Sequence, residues 1–219
     1  SLSAINLSAG ETVVCVFIQL KQDTIVVEKR TAGGDGAFTF SSPQLGPFVL
    51  TTTTGSASRS FTGLAAGVYN IAETVPAGWM QSFAGCDNNA TPDNLSLAPG
   101  QTVRCLFVNT RLGSIVIQKR TTGANGLATF DFVSQQLGNF SLSTAGGVAS
   151  RSFANLAPGV YAVGENVPAG WDLTSATCSN GSSPANIDLA PGEKVVCTFE
   201  NTQRGSLTVV KDATGGDGA

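Results

Sequence analysis

The chain of 219 residues carries 12 Lys and Arg against 15 Asp and Glu, contains no histidine, and has a sequence pI near 4.8. Without imidazole, Ser-His-Asp and Cys-His nucleophile pairs and His-containing zinc sites are excluded, and an acidic chain offers no basic face to a phosphate backbone. We therefore expect no nucleic-acid partner, no cofactor and no metal. No apolar run reaches the roughly 18 residues of a membrane helix, so we also expect no membrane insertion in this segment.

In chain order, the sequence from residue 24 onwards predicts short strands of alternating polarity, with no helical periodicity. About seven strands in roughly 90 residues is the size of a β-sandwich, so the predicted fold class is all-β. The predicted strands are 24–30, 37–42, 47–52, 57–63, 67–74, 79–83 and 101–110, separated by turn clusters such as GGDG, PAG and APG.

The strand series repeats itself with a period of about 91 residues. LAAGVYNIAETVPAGW returns as LAPGVYAVGENVPAGW, and TVRCLFVNT returns as KVVCTFENT. Residues 1–37 also match residues 187–219 two repeats later, so we expect the segment to come from a longer array. The pattern predicts the C-terminal strands of a preceding repeat in 1–22, one sandwich in 23–112, a second in 113–204, and the first strand of a following repeat in 205–219.

Each full repeat has two cysteines at the same spacing, Cys86 and Cys105 in the first and Cys178 and Cys197 in the second, which leaves Cys15 over. One disulfide per repeat is the economical interpretation, and it implies an oxidising compartment. The alternative is a pair of buried free thiols. Two cysteines without histidine fall short of a zinc site.

Strand alternation turns three polar side chains of each repeat towards the predicted core. Lys29 shares a face with Ile25 and Val27, Glu73 shares one with Tyr69, and Asn109 lies on the face of the apolar residues of the last strand. The second repeat has the same pattern. Its inward polar residues are Lys119, Glu165 and Asn201.

An inward Lys or Glu would be costly alone, so the three groups are expected to meet one another. Two outcomes follow: a buried ion pair capped by an amide, or a reaction. Desolvation favours a neutral amine beside a protonated acid. Such an amine can attack the Asn carbonyl while the acid transfers protons and ammonia leaves, which links the first strand to the last.

At these residues the sequence resembles the CnaB-type, SpaA-like prealbumin-fold domains of bacterial surface proteins and pilins. The similarity rests on KRT followed by GxxG, on Y-x-x-x-E-x-x-P-A-G-W and on C-x-F-x-N-T, which occur at linked spacing in both repeats. It implies tandem Ig-like sandwiches in which the lysines and asparagines form isopeptide bonds and the two glutamates are catalytic. By the same resemblance Lys211 belongs to a following repeat, and Gln19 replaces the asparagine of a preceding one.

These patterns favour a structural repeat segment of an extracellular stalk, pilus-like fibre or filament at the cell surface. Its partners would be copies of itself or neighbouring repeats, joined by connectors of about ten residues between one crosslink and the next. The alternative is an adhesin or carbohydrate-binding module for a host or glycan ligand, with Trp79 and Trp171 as candidate platforms unless they fold back over the sandwich. We expect no enzyme acting on external substrates, because each glutamate would react once, on its own chain.

Overall fold

The computed structural model describes residues 6–16, 21–123, 127–212 and 215, and it contains two β-sandwiches in tandem. The position of Gln19 lies outside the described residues. The all-β prediction is confirmed: apart from a single 3-10 turn at Pro92–Asn94, the described residues form strands, turns and irregular segments.

The first sandwich packs a four-stranded sheet against two smaller sheets. The large sheet has the order β4-β1-β9-β7, and the facing layer consists of β3-β2-β6 and β5-β8. All strand pairs are antiparallel except β1 with β9, the first and last strands, which run parallel. The strands are β1 (Asp23–Ala32), β2 (Ala37–Ser41), β3 (Phe48–Thr51), β4 (Ser56–Leu64), β5 (Gly67–Tyr69), β6 (Ala72–Thr74), β7 (Trp79–Cys86), β8 (Leu95–Leu97) and β9 (Thr102–Arg111).

The second sandwich repeats this topology, with a large sheet β13-β10-β18-β16 facing β12-β11-β15 and β14-β17. Its first and last strands, β10 and β18, are again parallel neighbours. The strands are β10 (Gly113–Thr122), β11 (Thr129–Val133), β12 (Phe140–Ser143), β13 (Val148–Leu156), β14 (Gly159–Tyr161), β15 (Gly164–Asn166), β16 (Trp171–Cys178), β17 (Ile187–Leu189) and β18 (Lys194–Gln203).

The predicted strand over 67–74 is wrong as a single element. It divides into β5, which pairs with β8, and β6, which pairs with β2. Between them, the Ile71 amide donates to the carbonyl of Pro92 at 2.8 Å, so the chain passes from one small sheet to the other. The inward parity survives this break, because Tyr69, Ile71 and Glu73 are all turned to the interior.

The described residues of 6–16 and 205–212 carry no strand in the structure, and their assignment to a preceding and a following repeat stays a prediction. Lys211 is exposed there rather than buried in a sheet. In the two complete sandwiches the first strand is held by the last strand of the same repeat. A first or last strand without that partner has no ladder to join, since an isolated strand leaves its backbone groups unpaired.

The core lies between the two layers of each sandwich. Ile25 and Val27 of β1 are fully buried, and Phe107 of β9 meets Phe40 of β2 edge to face, with centroids 5.0 Å apart. The same strand alternation that buries these apolar groups also turns the inward polar residues to the interior.

The two sandwiches are in direct contact at a junction formed by the Gly33 loop of the first and the Pro191–Gly192 turn of the second. Only Leu112 separates β9 from β10. The Gly192 amide donates to the carbonyl of Arg111 at 2.9 Å. A Cβ on Gly33, whose φ is +88°, would lie 2.6 Å from the carbonyl carbon of Pro191, so this contact requires glycine.

Candidate functional site

Three strands of the first sandwich bring Lys29, Glu73 and Asn109 together inside the core. Lys29 lies on β1, Glu73 on β6 and Asn109 on β9, and all three side chains are fully buried. Lys29 Nζ is 2.9 Å from Glu73 Oε1, and Asn109 Nδ2 donates to the same oxygen at 2.9 Å. The glutamate therefore lies between the amine and the amide.

The second sandwich assembles Lys119, Glu165 and Asn201 from the equivalent strands, with a different pattern of contacts. Lys119 Nζ is 3.3 Å from Glu165 Oε1 and donates to Asn201 Oδ1 at 2.6 Å. It also donates to the backbone carbonyls of Arg120 and Phe199, each at 3.2 Å. Here the amine is in contact with the amide oxygen itself.

An aromatic ring covers each lysine. Nζ of Lys29 lies 4.3 Å from the ring centroid of Phe38, and Nζ of Lys119 lies 4.3 Å from that of Phe130. Each amine therefore lies between an aromatic ring and its polar partners. A ring face attracts a cation, so the rings partly offset the cost of burying the amines.

Burial is the main influence on the proton affinity of these groups. It lowers the pKa of Lys29 and of Lys119, against the opposing effect of the neighbouring carboxylates. Burial also raises the pKa of Glu165, against the opposing effect of Lys119. Both directions in the second sandwich favour a neutral amine beside a neutral acid, the forms that amide exchange requires.

A disulfide joins strand β7 to β9, and another joins β16 to β18. Cys86 is bonded to Cys105, and Cys178 to Cys197, at positions that are directly paired across the strands. Cys15 is an exposed free cysteine within the described part of the chain. Each disulfide fastens an edge strand to the strand that carries the asparagine.

The two tryptophans pack onto the sandwiches. Trp79 contacts Phe38 edge to face with centroids 5.1 Å apart, and Trp171 contacts Phe130 in the same way at 5.3 Å. Trp171 is 8% exposed. This packing favours rings that fold back over the core, next to the Phe residues that cover the lysines, rather than platforms for a ligand.

Sequence reasoning missed a fourth member of the first site, Gln81 on β7. Its side-chain amide donates to Glu73 Oε2 at 2.7 Å. The signal lies in the strand register, because Gln81 is directly opposite Asn109 and opposed residues of an antiparallel pair point to the same face. In the second sandwich the residue opposite Asn201 is Leu173.

The described residues contain no cluster of His, Cys, Asp and Glu able to hold a metal ion. Among the same residues, no helix has the length and apolar character needed to cross a bilayer.

Comparison with known proteins gives one family match and several distant structures. The TIE protein of Bacillus anthracis has 18% identity and a TM-score of 0.36, with 84% of this chain and 34% of that chain covered. The shaft pilin SpaA of Lactobacillus rhamnosus GG has 15% identity and a TM-score of 0.30, with 86% and 100% covered. The major pilin T-13 of Streptococcus pyogenes has 12% identity and a TM-score of 0.30, with 82% and 97% covered.

This chain spans about a third of the TIE protein structure. A search of curated proteins finds no match. A family model described as a prealbumin-like fold domain matches the chain twice, over residues 25–111 and 115–203. The two matches cover most of the chain, which therefore belongs to the family of SpaA-type prealbumin-like fold domains.

Proposed function

We propose that this chain is a structural repeat segment of an extracellular stalk, pilus-like fibre or filament, whose sandwiches are crosslinked internally by Lys–Asn isopeptide bonds. The observation that carries the proposal is the meeting of a buried amine, acid and amide between the first and last strands of each sandwich. Crosslinks at these positions would also change how each sandwich carries tension, an effect that stabilisation of the core alone would not have.

The reaction joins Lys119 Nζ to the side-chain carbonyl carbon of Asn201. A proton passes from the ammonium to Glu165, and the neutral amine attacks that carbon, which is attached to the oxygen it already contacts at 2.6 Å. The acid gives its proton to Nδ2, and the bond from the carbon to Nδ2 breaks. Glu165 then takes the second proton from the former lysine nitrogen and passes it to the departing ammonia, which leaves as ammonium. The glutamate ends unchanged, so each site reacts once. Lys29, Glu73 and Asn109 would react in the same way.

The position of the crosslinks defines a short path for tension. Force along the chain enters the first sandwich at the start of β1 and leaves at the end of β9. A bond from Lys29 to Asn109 would carry that force directly, so residues 30–108 would stay unloaded. In the second sandwich, a bond from Lys119 to Asn201 would relieve residues 120–200 in the same way. An array of such units would resist extension.

The disulfides support an extracellular location, because they form and persist in oxidising compartments. We therefore place the segment at the cell surface, with neighbouring repeats or further copies of the chain as its partners. The packing of both tryptophans against the core gives no support to the alternative of a glycan-binding or adhesive module.

Intact mass of the denatured, reduced protein tests the proposal. Two bonds reduce the mass by two ammonia molecules relative to the sequence. Lys29→Ala, Glu73→Ala and their counterparts in the second sandwich should each restore one ammonia, because each removes a reactant or the proton carrier of one site. A wild-type mass equal to that of the sequence would overturn the crosslink.

A further inference from the structure

The two buried sites share their lysine, glutamate and asparagine but differ at the edge strand. Gln81 of β7 faces Asn109, and its amide reaches Glu73 Oε2 at 2.7 Å. Leu173 of β16 faces Asn201 at the equivalent register. The first glutamate thus has a hydrogen-bond donor from the edge strand, whereas leucine cannot supply one.

The donor from Gln81 fixes the position of the Glu73 carboxyl group. Oε1 already accepts from Asn109 Nδ2 and lies 2.9 Å from Lys29 Nζ, and Oε2 accepts from the Gln81 amide. Both carboxyl oxygens therefore have partners, and the group is held between the amine of Lys29 and the amide of Asn109.

The orientation of the asparagine follows the same difference. In the first site the amide nitrogen of Asn109 points at Glu73, and its buried Oδ1 has no hydrogen-bond partner among the described residues. In the second site the amide oxygen of Asn201 accepts from the lysine at 2.6 Å. In the second site the lysine therefore contacts the asparagine carbonyl, whereas in the first site both the lysine and the asparagine contact the glutamate.

We infer that Gln81 is a positioning residue that retards isopeptide formation in the first sandwich by holding Glu73 in contact with Lys29 and Asn109, so that the second sandwich closes its bond first. This inference rests on the proposed function, because it concerns the rate of the same reaction. Asn109 must leave its hydrogen bond to Glu73 before its carbonyl can turn to the amine. A hydrogen bond to a charged group is strong enough to slow such a step by about tenfold or more.

The test is a time course of ammonia loss in the full chain. Protein recovered denatured and reduced, before it has folded, is diluted into oxidising folding buffer and quenched in acid at intervals. Digestion and mass spectrometry then measure each crosslinked peptide pair separately. Both sandwiches fold in the same molecule, so the rate of each crosslink is compared directly with the rate of the other.

A reciprocal exchange gives the matched variants. Gln81→Leu should accelerate the first crosslink about tenfold and leave the second unchanged, and Leu173→Gln should slow the second by a similar factor. Slower closure in Gln81→Leu would overturn the inference, as would equal rates for the two sites in every variant. Absence of ammonia loss from both wild-type sites would instead overturn the proposed function.

A spectroscopic measurement separates positioning from general stability. Asn109→Ala and Asn201→Ala together keep both sites unreacted, and carbon NMR of labelled glutamate then reports the hydrogen bonding of each carboxyl group. Adding Gln81→Leu should shift the Glu73 carboxyl signal and leave the Glu165 signal unchanged. An unchanged Glu73 signal would contradict the inference, since Gln81 would then not act on this carboxyl group.

Discussion

Lys29 and Lys119 are long cationic side chains, yet each is fully buried between the layers of its sandwich. The fold tolerates these buried lysines because a carboxylate and an amide lie beside each of them. Removing one partner of a buried pair would leave an uncompensated charge. The same closeness that satisfies the charges brings an amine to an amide. At the scale of single residues, stability and reactivity therefore have one origin.

Glu165→Gln should abolish the second crosslink and destabilise its sandwich. Glutamine cannot take the proton of Lys119, so one ammonia remains in the intact mass. The loss of the buried partner is expected to lower the free energy of unfolding by about 3 kcal/mol or more, in addition to the effect of the missing bond. Denaturant unfolding measures this change.

The control for that variant is Asp188→Asn, an exposed position on β17 of the same sandwich. It should leave both mass and stability unchanged. Normal ammonia loss in Glu165→Gln would show that Glu165 does not transfer the proton.

Asp35 provides a pH-dependent test at a turn. Its carboxylate accepts from the amides of Thr54 and Gly55 at 3.0 and 2.7 Å, and these hydrogen bonds, that from Gly55 foremost, lower the pKa of Asp35 below its usual 3.8. A lowered pKa means that the contribution to stability is present above pH 3.8 and is lost as the pH falls through the folded-state value.

Asp35→Asn should therefore be less stable than the wild type at neutral pH, and the two should converge below about pH 3.8. Thermal unfolding across the acid range measures the difference. A gap between the two proteins that stays constant with pH would contradict this account of the turn.

Individual strands differ in how far the sequence predicts them. Every second residue up to Lys29 in β1 and up to Asn109 in β9 is buried, with Val26 buried in addition, so the inward direction of both polar residues could be deduced without coordinates. The division at Asn70 could not, because alternation continues unbroken while the chain changes its pairing partner. Gln81 was missed for a related reason: its role depends on register against another strand, which a single strand's pattern does not specify.

Each disulfide should stabilise an edge strand that hydrogen bonds secure on one side only. Replacing Cys86 and Cys105 together by alanine is expected to lower the free energy of unfolding of the first sandwich by about 3 kcal/mol, since the unfolded chain regains the freedom of the closed loop. Unfolding in denaturant without reductant measures the loss. Cys15→Ala, which removes an exposed free thiol, should have no effect. An equal loss in Cys15→Ala would contradict the assignment.

The whole molecule is expected to behave as a stiff unit because the sandwiches meet at a closely packed junction. Gly33→Ala should force the Gly33 loop away from Pro191, where the added Cβ would otherwise lie 2.6 Å from the carbonyl carbon. We expect a broader distribution of interdomain angles, measured by small-angle X-ray scattering or residual dipolar couplings.

Gly46→Ala is a matched control for the junction. Gly46 also has a positive φ, +72°, but an added Cβ meets nothing within 4 Å. It should reduce the stability of the first sandwich through backbone strain without changing the alignment of the two domains. Equal alignment in both variants would show that the Gly33 contact does not set the angle.

The parallel pairing of β1 with β9 sends the chain out of a sandwich at the end opposite to where it came in. Each repeat then advances the polypeptide by the height of one sandwich, about 33 Å for a ten-residue strand. In the proposed stalk, the number of repeats would therefore set the length, and adding or deleting whole repeats would change the distance between its two ends in steps of that size.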